Sequence, residues 1–482
     1  MFVRKIFFCI ILFVISTNLY AFDINASGYY RARGDLFKNL NLGTNELNDY
    51  RTLWNQRFRL NSEFTVSDYV SLNSTFDLLD NEFFGANPTN GVVAGNPSFY
   101  QSSTAGGGGV PEISEDPSVD ILAFSSGEKT GSFIAVKRLW LNILSPLGIF
   151  KIGRQPSHFG LGITENSGDG YDSNFGDVAD RISFETGYKG YVLAFGGDKD
   201  VEFDRDLQTT TQASSIDTNA DDVTRFFLKA GFDEDNEKFL TLISRRWQGI
   251  TDTTVWIFDV YPYWNYSWYT FEGEFTTFQG DSQSQDVSVF NWVARNTAHL
   301  SLFRFGAEGG FSSGTSGGST NTKSINTIPF DRDYNVGYLL FEEALPGGAG
   351  FDSFDPTNTT VASAPEAAGA VSNAIYYRAF AGVTLAEAFH IDVNVINAYA
   401  LKNPVIGYDP NNTGNLLFTS NKNYGVEYNI NLGLDVRKEL NLGFTFAHFI
   451  PGGIFDSQAR NVFNQDGAAQ ALTLQGRVLV KF

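Results

Sequence analysis

Residues 471–482 read Ala-Leu-Thr-Leu-Gln-Gly-Arg-Val-Leu-Val-Lys-Phe. Leu472, Leu474, Gly476, Val478, Val480 and Phe482 recur at period two, which puts them on one face of a strand. Thr473, Gln475, Arg477, Leu479 and Lys481 take the other face. A strand with one continuous apolar face and a terminal aromatic suits a wall that meets lipid on that side. Only a closed barrel lets strands cross a bilayer, because it leaves no edge unpaired. The alternative is the edge strand of a soluble sheet.

The other end of the chain favours the membrane. Arg4 and Lys5 precede the apolar run Ile6–Ile15, and Ala21 offers a small residue for cleavage. The run is too short to span a bilayer as a helix. A signal peptide over 1–21 would leave a mature chain of 461 residues without Cys9 or Met1, so no disulfide chemistry is open to it. Cys9 lies inside the apolar run and not at the cut, which argues against lipoprotein processing. Loss of Arg4 and Lys5 leaves 32 basic against 54 acidic residues, a net charge of −22. That balance excludes a general nucleic-acid binder. The 45 Phe, 21 Tyr and 48 Gly suit alternating strands, tight turns and interfacial aromatic belts. Residues 471–482 resemble the C-terminal sorting signal of bacterial outer-membrane proteins. That resemblance implies recognition of Val478, Val480 and Phe482 by the barrel-assembly machinery, with outer-membrane lipid and lipopolysaccharide as further partners.

Alternating segments recur along the chain. The first is Phe22–Arg33, then Trp54–Val66 and Tyr69–Leu79, and the last Ala471–Phe482. Short turns alternate with long polar connections, and the count reaches 18 strands. The expected fold is all-β: one transmembrane antiparallel up-and-down barrel over 22–482, with short periplasmic turns and long extracellular loops. The first strand begins at the mature N-terminus, so no plug or hatch is expected. Tyr261–Tyr266 is read as a periplasmic aromatic turn. Asn335–Phe341 would break the even strand count and is placed inside the long outer loop 312–373, the candidate to fold inward as a constriction.

Inward positions carry charge, which a water-filled lumen tolerates and lipid does not. Early strands supply Arg31, Arg33, Arg57, Arg59 and Arg138; later ones supply Arg181, Arg225, Lys229, Arg304, Arg378, Arg477 and Lys481. Acidic residues share that parity: Glu63, Asp77, Glu185, Glu272, Glu274, Glu308, Asp392 and Glu427. Two readings follow. The charges brace adjacent strands, or they line a path for anionic solutes. Lys137 and Arg154 break the alternation. A bulge or an interface position would explain Lys137; a register shift at Gly153, or a place above the membrane, would explain Arg154.

Four short motifs carry a family resemblance: Arg57-Phe-Arg59 with Glu63, Leu139-Trp-Leu-Asn142, Gly153-Arg154-Gln155, and Phe330-Asp-Arg-Asp-Tyr-Asn-Val-Gly337. They resemble alginate-export-type outer-membrane porins. The resemblance implies an 18-stranded barrel with an arginine-rich lumen constricted by loops. It also implies Arg57, Arg59, Arg154 and Arg332 as pore arginines. The acidic loops depart from a dedicated polyanion exporter.

No nucleophile elbow occurs, and the four histidines His158, His299, His390 and His448 have no metal-ligand spacing. Asp169, Asp172 and Asp177 sit near calcium-loop spacing, but no acidic residue closes an EF-hand loop. A solvated turn is the simpler reading of that stretch, and calcium the alternative. The expected function is passive diffusion of small hydrophilic solutes through an outer-membrane porin, monomeric or homotrimeric, without a cofactor and not an enzyme. The runner-up is a channel specific for an anionic sugar or polysaccharide. A barrel enzyme or adhesin is the third.

Overall fold

A computed structural model of the chain describes residues 23–39, 50–83, 134–201, 223–248, 252–282, 285–314, 324–342, 370–386, 388–403, 405–408, 416–418, 421–455 and 469–482. The expected signal segment 1–21 lies outside them. Eighteen strands close into one antiparallel barrel. Strands 1 to 5 are Asp23–Lys38, Tyr50–Ser67, Val70–Phe83, Ile134–Ser145 and Gly148–Pro156. Strands 6 to 9 are Val178–Tyr188, Tyr191–Val201, Val223–Asp233 and Glu237–Gln248. Strands 10 to 13 are Thr253–Tyr266, Tyr269–Ser282, Gln285–Leu300 and Phe303–Ser312. Strands 14 to 18 are Ala374–Leu385, Phe389–Ala400, Asn423–Arg437, Leu440–Pro451 and Ala471–Lys481. Each pairs with its neighbour in sequence, and strand 18 pairs with strand 1.

The closure uses the stretch that opened the sequence reading. Tyr29 lies opposite Lys481 and Lys38 opposite Leu472. The Phe482 N–H donates to the Gly28 carbonyl (3.1 Å), and the Gly28 N–H donates to the Phe482 carbonyl (2.9 Å). The Phe482 ring stacks on Phe58 with centroids 5.4 Å apart. Leu474, Val478 and Val480 point out, while Thr473 and Leu479 are buried. The residues facing Arg477 and Lys481 are Arg33 and Tyr29. Strand 1 starts several residues before the closure, so Asp23 and Asn25 lie beyond it.

Alternation holds around the wall. On strand 9 Phe239, Ile243 and Arg245 point out, and Leu240, Leu242 and Ser244 point in. Strands run beyond the expected ends because ladder pairing continues outside the apolar band. Strands 11 and 12 extend until only residues 283–284 separate them, on the side where long connections were expected. Tyr261–Tyr266 is strand and not turn; the turn is at Ser267-Trp268. Period two therefore divides this aromatic run. Trp264, Tyr266 and Trp268 are exposed outward, whereas Tyr261 and Tyr263 stack on each other inward, 6.3 Å apart.

Lys137 is a bulge. Thr75 pairs with Arg138 and Phe76 with Val136, which leaves Lys137 as the extra residue. The bulge turns two consecutive cations to the interior, and both are buried. Asn335–Phe341 is irregular and lies within the connection from strand 13 to strand 14.

Candidate functional site

Two stretches of connecting chain pack against the inner face of the wall. The first is 157–177, between strands 5 and 6; the second is 324–342, between strands 13 and 14.

The first is held largely by its own backbone oxygens. Arg31 donates to the Tyr171 carbonyl (2.8 Å). Arg57 donates to the carbonyls of Ser173 (2.7 Å) and Asn174 (3.1 Å). Arg59 donates to the Gly168 carbonyl (3.0 Å) while its fork grips both Asp77 oxygens at 2.7 Å. Arg138 reaches the Ser167 carbonyl and pairs with Asp169 (2.7 Å). Arg477 pairs with Asp172, and Arg225 with Glu165. Carbonyls carry no charge to neutralise the guanidinium, so carboxylates do that separately. Asp80 sits between Arg57 and Lys137, and Asp198 between Arg181 and Arg225. A planar guanidinium with five donors can hold both oxygens of a carboxylate in a fork and still donate to a carbonyl, a bidentate geometry that an ammonium does not match.

At the other end of this stretch the polarity reverses. Buried Glu274 accepts the N–H of Gly162 (2.9 Å) and lies against Gly160. Both glycines have positive φ, +84° and +58°, and a Cβ at Gly160 would meet the Glu274 carboxylate at 2.6 Å. The turn's backbone can approach the carboxylate only because both positions are glycine.

The second stretch is held mainly by amides and apolar packing. Ser324–Ile325 runs parallel to Asp286–Val287 of strand 12. Fully buried Glu427 accepts the N–H groups of Tyr338 (2.7 Å), Leu339 (3.1 Å) and Leu340 (2.5 Å). Its cross-strand neighbours are Ile396 and Phe449, both apolar and buried. Phe341 packs edge-on to Tyr376 and Tyr424. Together with Phe330, Val336, Leu339 and Leu340 it fills one side of the barrel interior.

The two stretches also meet. The Asp331 N–H donates to the Ile163 carbonyl (2.8 Å). Asp333 accepts the N–H groups of Asn174 (2.8 Å) and Phe175 (3.3 Å). Arg332 lies 5.3 Å from the Phe175 ring centre. Burial, then the neighbouring Asp177, push the Asp331 carboxyl well above the usual carboxylate range. Burial would raise Asp169 as well, but the Arg138 guanidinium, the Ser167 hydroxyl and Arg59 together outweigh it and hold that carboxyl low. Burial pushes the His158 imidazole down.

Arg31, Arg57, Arg59, Arg138 and Arg225 thus converge on 157–177. Glu272, Glu308 and Arg378 instead form a wall network through Arg295. Arg295 lies 3.4 Å from Glu272 and 2.6 Å from Glu308, and Arg378 lies 3.8 Å from Glu308. Arg33 pairs with Asp35 (3.4 Å). Glu63 lies opposite Asn25 and Asn73 near the turn end. Arg304 pairs with Asp392 (2.8 Å) near that same end, its side chain 51% exposed. Arg154 departs from the expected pore set. It lies opposite Leu139, shares the outward face of Ile152, and pairs with Asp180 (2.9 Å). Gly153 has φ +122° but no register shift accompanies it.

Asp169, Asp172 and Asp177 do not converge either. The first two take different arginines, and Asp177 accepts the Asn166 N–H (3.0 Å). The stretch is a docked segment and not a solvated turn. Arg295, Asp198 and the clamping role of Glu427 escaped the sequence reading. An inward carboxylate with apolar cross-strand neighbours is a usable signal for the last, but it requires the register.

No family model matches the chain, and no curated protein matches it by sequence. Among solved structures, OccK5 (OpdH) of Pseudomonas aeruginosa aligns at a TM-score of 0.51 with 10% identity, over 95% of this chain and 98% of that one. OpdQ of the same organism aligns at 0.51 with 11% identity, over 95% and 97%. OccK8 (OprE) aligns at 0.50 with 10% identity, over 95% and 98%. At such identities the likeness is one of fold: this chain is a closed, 18-stranded antiparallel barrel of the kind those proteins adopt.

Proposed function

We propose that the protein is an outer-membrane porin for passive diffusion of small hydrophilic solutes, narrowed by 157–177 and 324–342. The observation that carries this reading is a closed barrel, apolar outside and charged inside, whose inner-wall charges hold chain segments across its interior. The solved barrels that share its fold are outer-membrane porins, which supports the location. Export by a signal peptide over 1–21 belongs to the same reading, and N-terminal sequencing of the mature chain should begin at Phe22.

In this reading most interior arginines are braces. Their donors are taken up by segment carbonyls and by carboxylates of the wall and segments, so few remain for a passing anion. Arg304, half-exposed near the turn end, is the principal candidate to act on solutes. Planar-bilayer conductance of the refolded chain in two salts tests the function; absence of channels would overturn it. Reversal potential under a salt gradient should move on Arg304→Ala.

The same exposed arginine keeps a second reading in view, a channel for an anionic sugar or polysaccharide as the alginate-export resemblance implies. Block of ion current by such a sugar at micromolar concentration, lost on Arg304→Ala, would favour it.

A further inference from the structure

The outer wall carries cations that the channel does not need. Arg245 projects outward from strand 9, in line with Phe239 and Ile243. Its guanidinium carbon lies 5.7 Å from the Trp247 ring centre and 5.9 Å from that of Trp256 on strand 10. Phe226 faces it from strand 8, its own ring 5.2 Å from Trp247. Arg245 makes no ion pair among the described residues. Next along the wall, toward the long connections, Lys199 lies opposite Asp180, which pairs with Arg154. Among the described residues, Arg154, Lys199 and Arg245 thus lie on the lipid-facing side of strands 5, 7 and 9, with Asp180 between the first two.

Position limits what these cations do. Below them, toward the turn end, the wall is apolar: Ile152, Phe195, Leu228, Ile243 and Phe258 are exposed. A cation within that band is costly, and the cost falls away at the interface. Trp is enriched at membrane–water interfaces, and Trp247 and Trp256 mark that level here. The short turns define the opposite, periplasmic end, so the cationic patch belongs to the outer leaflet. A guanidinium stacked between indoles keeps its edge donors free, and a planar fork matches phosphate oxygens. Neighbouring strands are about 4.8 Å apart, so Lys199, two strands away, is within about 12 Å of Arg245. A headgroup bearing more than one phosphate spans that separation. The cationic stretch ends at strand 10; Asp281 and Asp286 follow on strands 11 and 12.

We propose that Arg245, caged by Trp247 and Trp256 and with Lys199 two strands away, binds the phosphorylated headgroup of an outer-leaflet glycolipid. The proposal rests on the outer-membrane reading above. It assigns this part of the wall to a lipid and not to a second copy of the chain.

Native mass spectrometry of the full refolded chain in detergent tests it, with diphosphorylated lipid A and its dephosphorylated form as probes. The wild type should retain the phosphorylated form preferentially. Arg245→Gln should weaken that retention about tenfold, the loss expected for a charge-assisted hydrogen bond. Trp256→Phe should keep most of it. Equal retention of the two lipids, or unchanged retention by Arg245→Gln, overturns the site. So does full displacement by millimolar inorganic phosphate, which would mean a free-anion site. Dimers or trimers that exclude the lipid, and dissociate on Arg245→Gln, would assign the face to a second copy and overturn it too. Heat-modifiable gel mobility verifies that each variant is a folded barrel. Conductance of the same preparations is a separate readout. Channels without lipid discrimination sink this proposal alone, and lipid discrimination without channels sinks the porin reading alone.

Discussion

Arg59 shows how much of an interior residue can be inferred locally. Its inward parity follows from period two. Its match with Asp77 also needs the register shift between Thr65 and Ser67, because Ser67 opposite Val70 would by itself bring Arg59 opposite Leu78. Its third partner, the Gly168 carbonyl, lies 109 residues away, and nothing near Arg59 points to it. Removing Arg59 strands a buried carboxylate, at a cost of roughly 3–5 kcal/mol. Arg59→Ala should therefore loosen 157–177, read as faster proteolysis within that segment and a larger, noisier single-channel conductance. Lysine should not restore it, because one ammonium cannot hold Asp77 in a fork and a carbonyl together. Glu427 is the mirror case, an acceptor serving three amides. Glu427→Gln loses the charge that strengthens those bonds, roughly 1.5–3 kcal/mol each at most. Amide exchange across 338–340 should accelerate at least tenfold while the strand ladder stays protected; unchanged exchange would show that apolar packing alone holds 324–342.

Segments and strands behave differently under mutation and pH. The contact between 157–177 and 324–342 runs through Asp331 and Asp333, with Asp177 beside Asp331 and with Arg57 and Lys137 near Asp333. Burial raises both Asp331 and Asp333, so the docked pair binds more protons than the separated segments. Docking is then fully favourable below the ordinary carboxylate value of about 4 and weakens as pH rises through the raised values. Channel conductance should grow, or exchange at 330–334 accelerate, between acidic and alkaline pH. Asp331→Asn should flatten that profile; a profile unaltered by the substitution would remove Asp331 as its source. The final strand carries a different expectation. Phe482 meets Gly28 and Phe58 at the barrel seam, away from the interior segments. Its deletion should reduce the inserted fraction severalfold yet leave the conductance of inserted channels unchanged. The 18 strands were legible because each alternates and turn punctuation separates them. Their ends were less so, since pairing in water past the lipid band leaves no hydropathy mark. Tyr261–Tyr266 read as a turn for a related reason: aromatics on both faces of a strand erase the alternation.

At the scale of the whole molecule, the barrel was readable and its contents were not. Leu474, Val478 and Val480 outward with Thr473 inward is a property of one strand in any bilayer, because lipid imposes the same demand on every strand. Such a rule acts on neighbours in sequence, so sequence alone determined the barrel class, the even strand count and the inward parity of Arg31, Arg57, Arg59 and Arg138. Which inward charge braces a segment and which faces open interior depends on what folds back into the barrel. That is set by bonds between residues 109 and 117 positions apart, such as those of Arg59 to Gly168 and Arg57 to Asn174. It is also set by the register that surrounds Glu427 with Ile396 and Phe449, so that no cross-strand side chain serves it and the amides of 338–340 do. A docked segment leaves no periodic signal of its own. Its anchors are backbone groups, which every residue carries, and only the tertiary structure decided which of them the wall would hold.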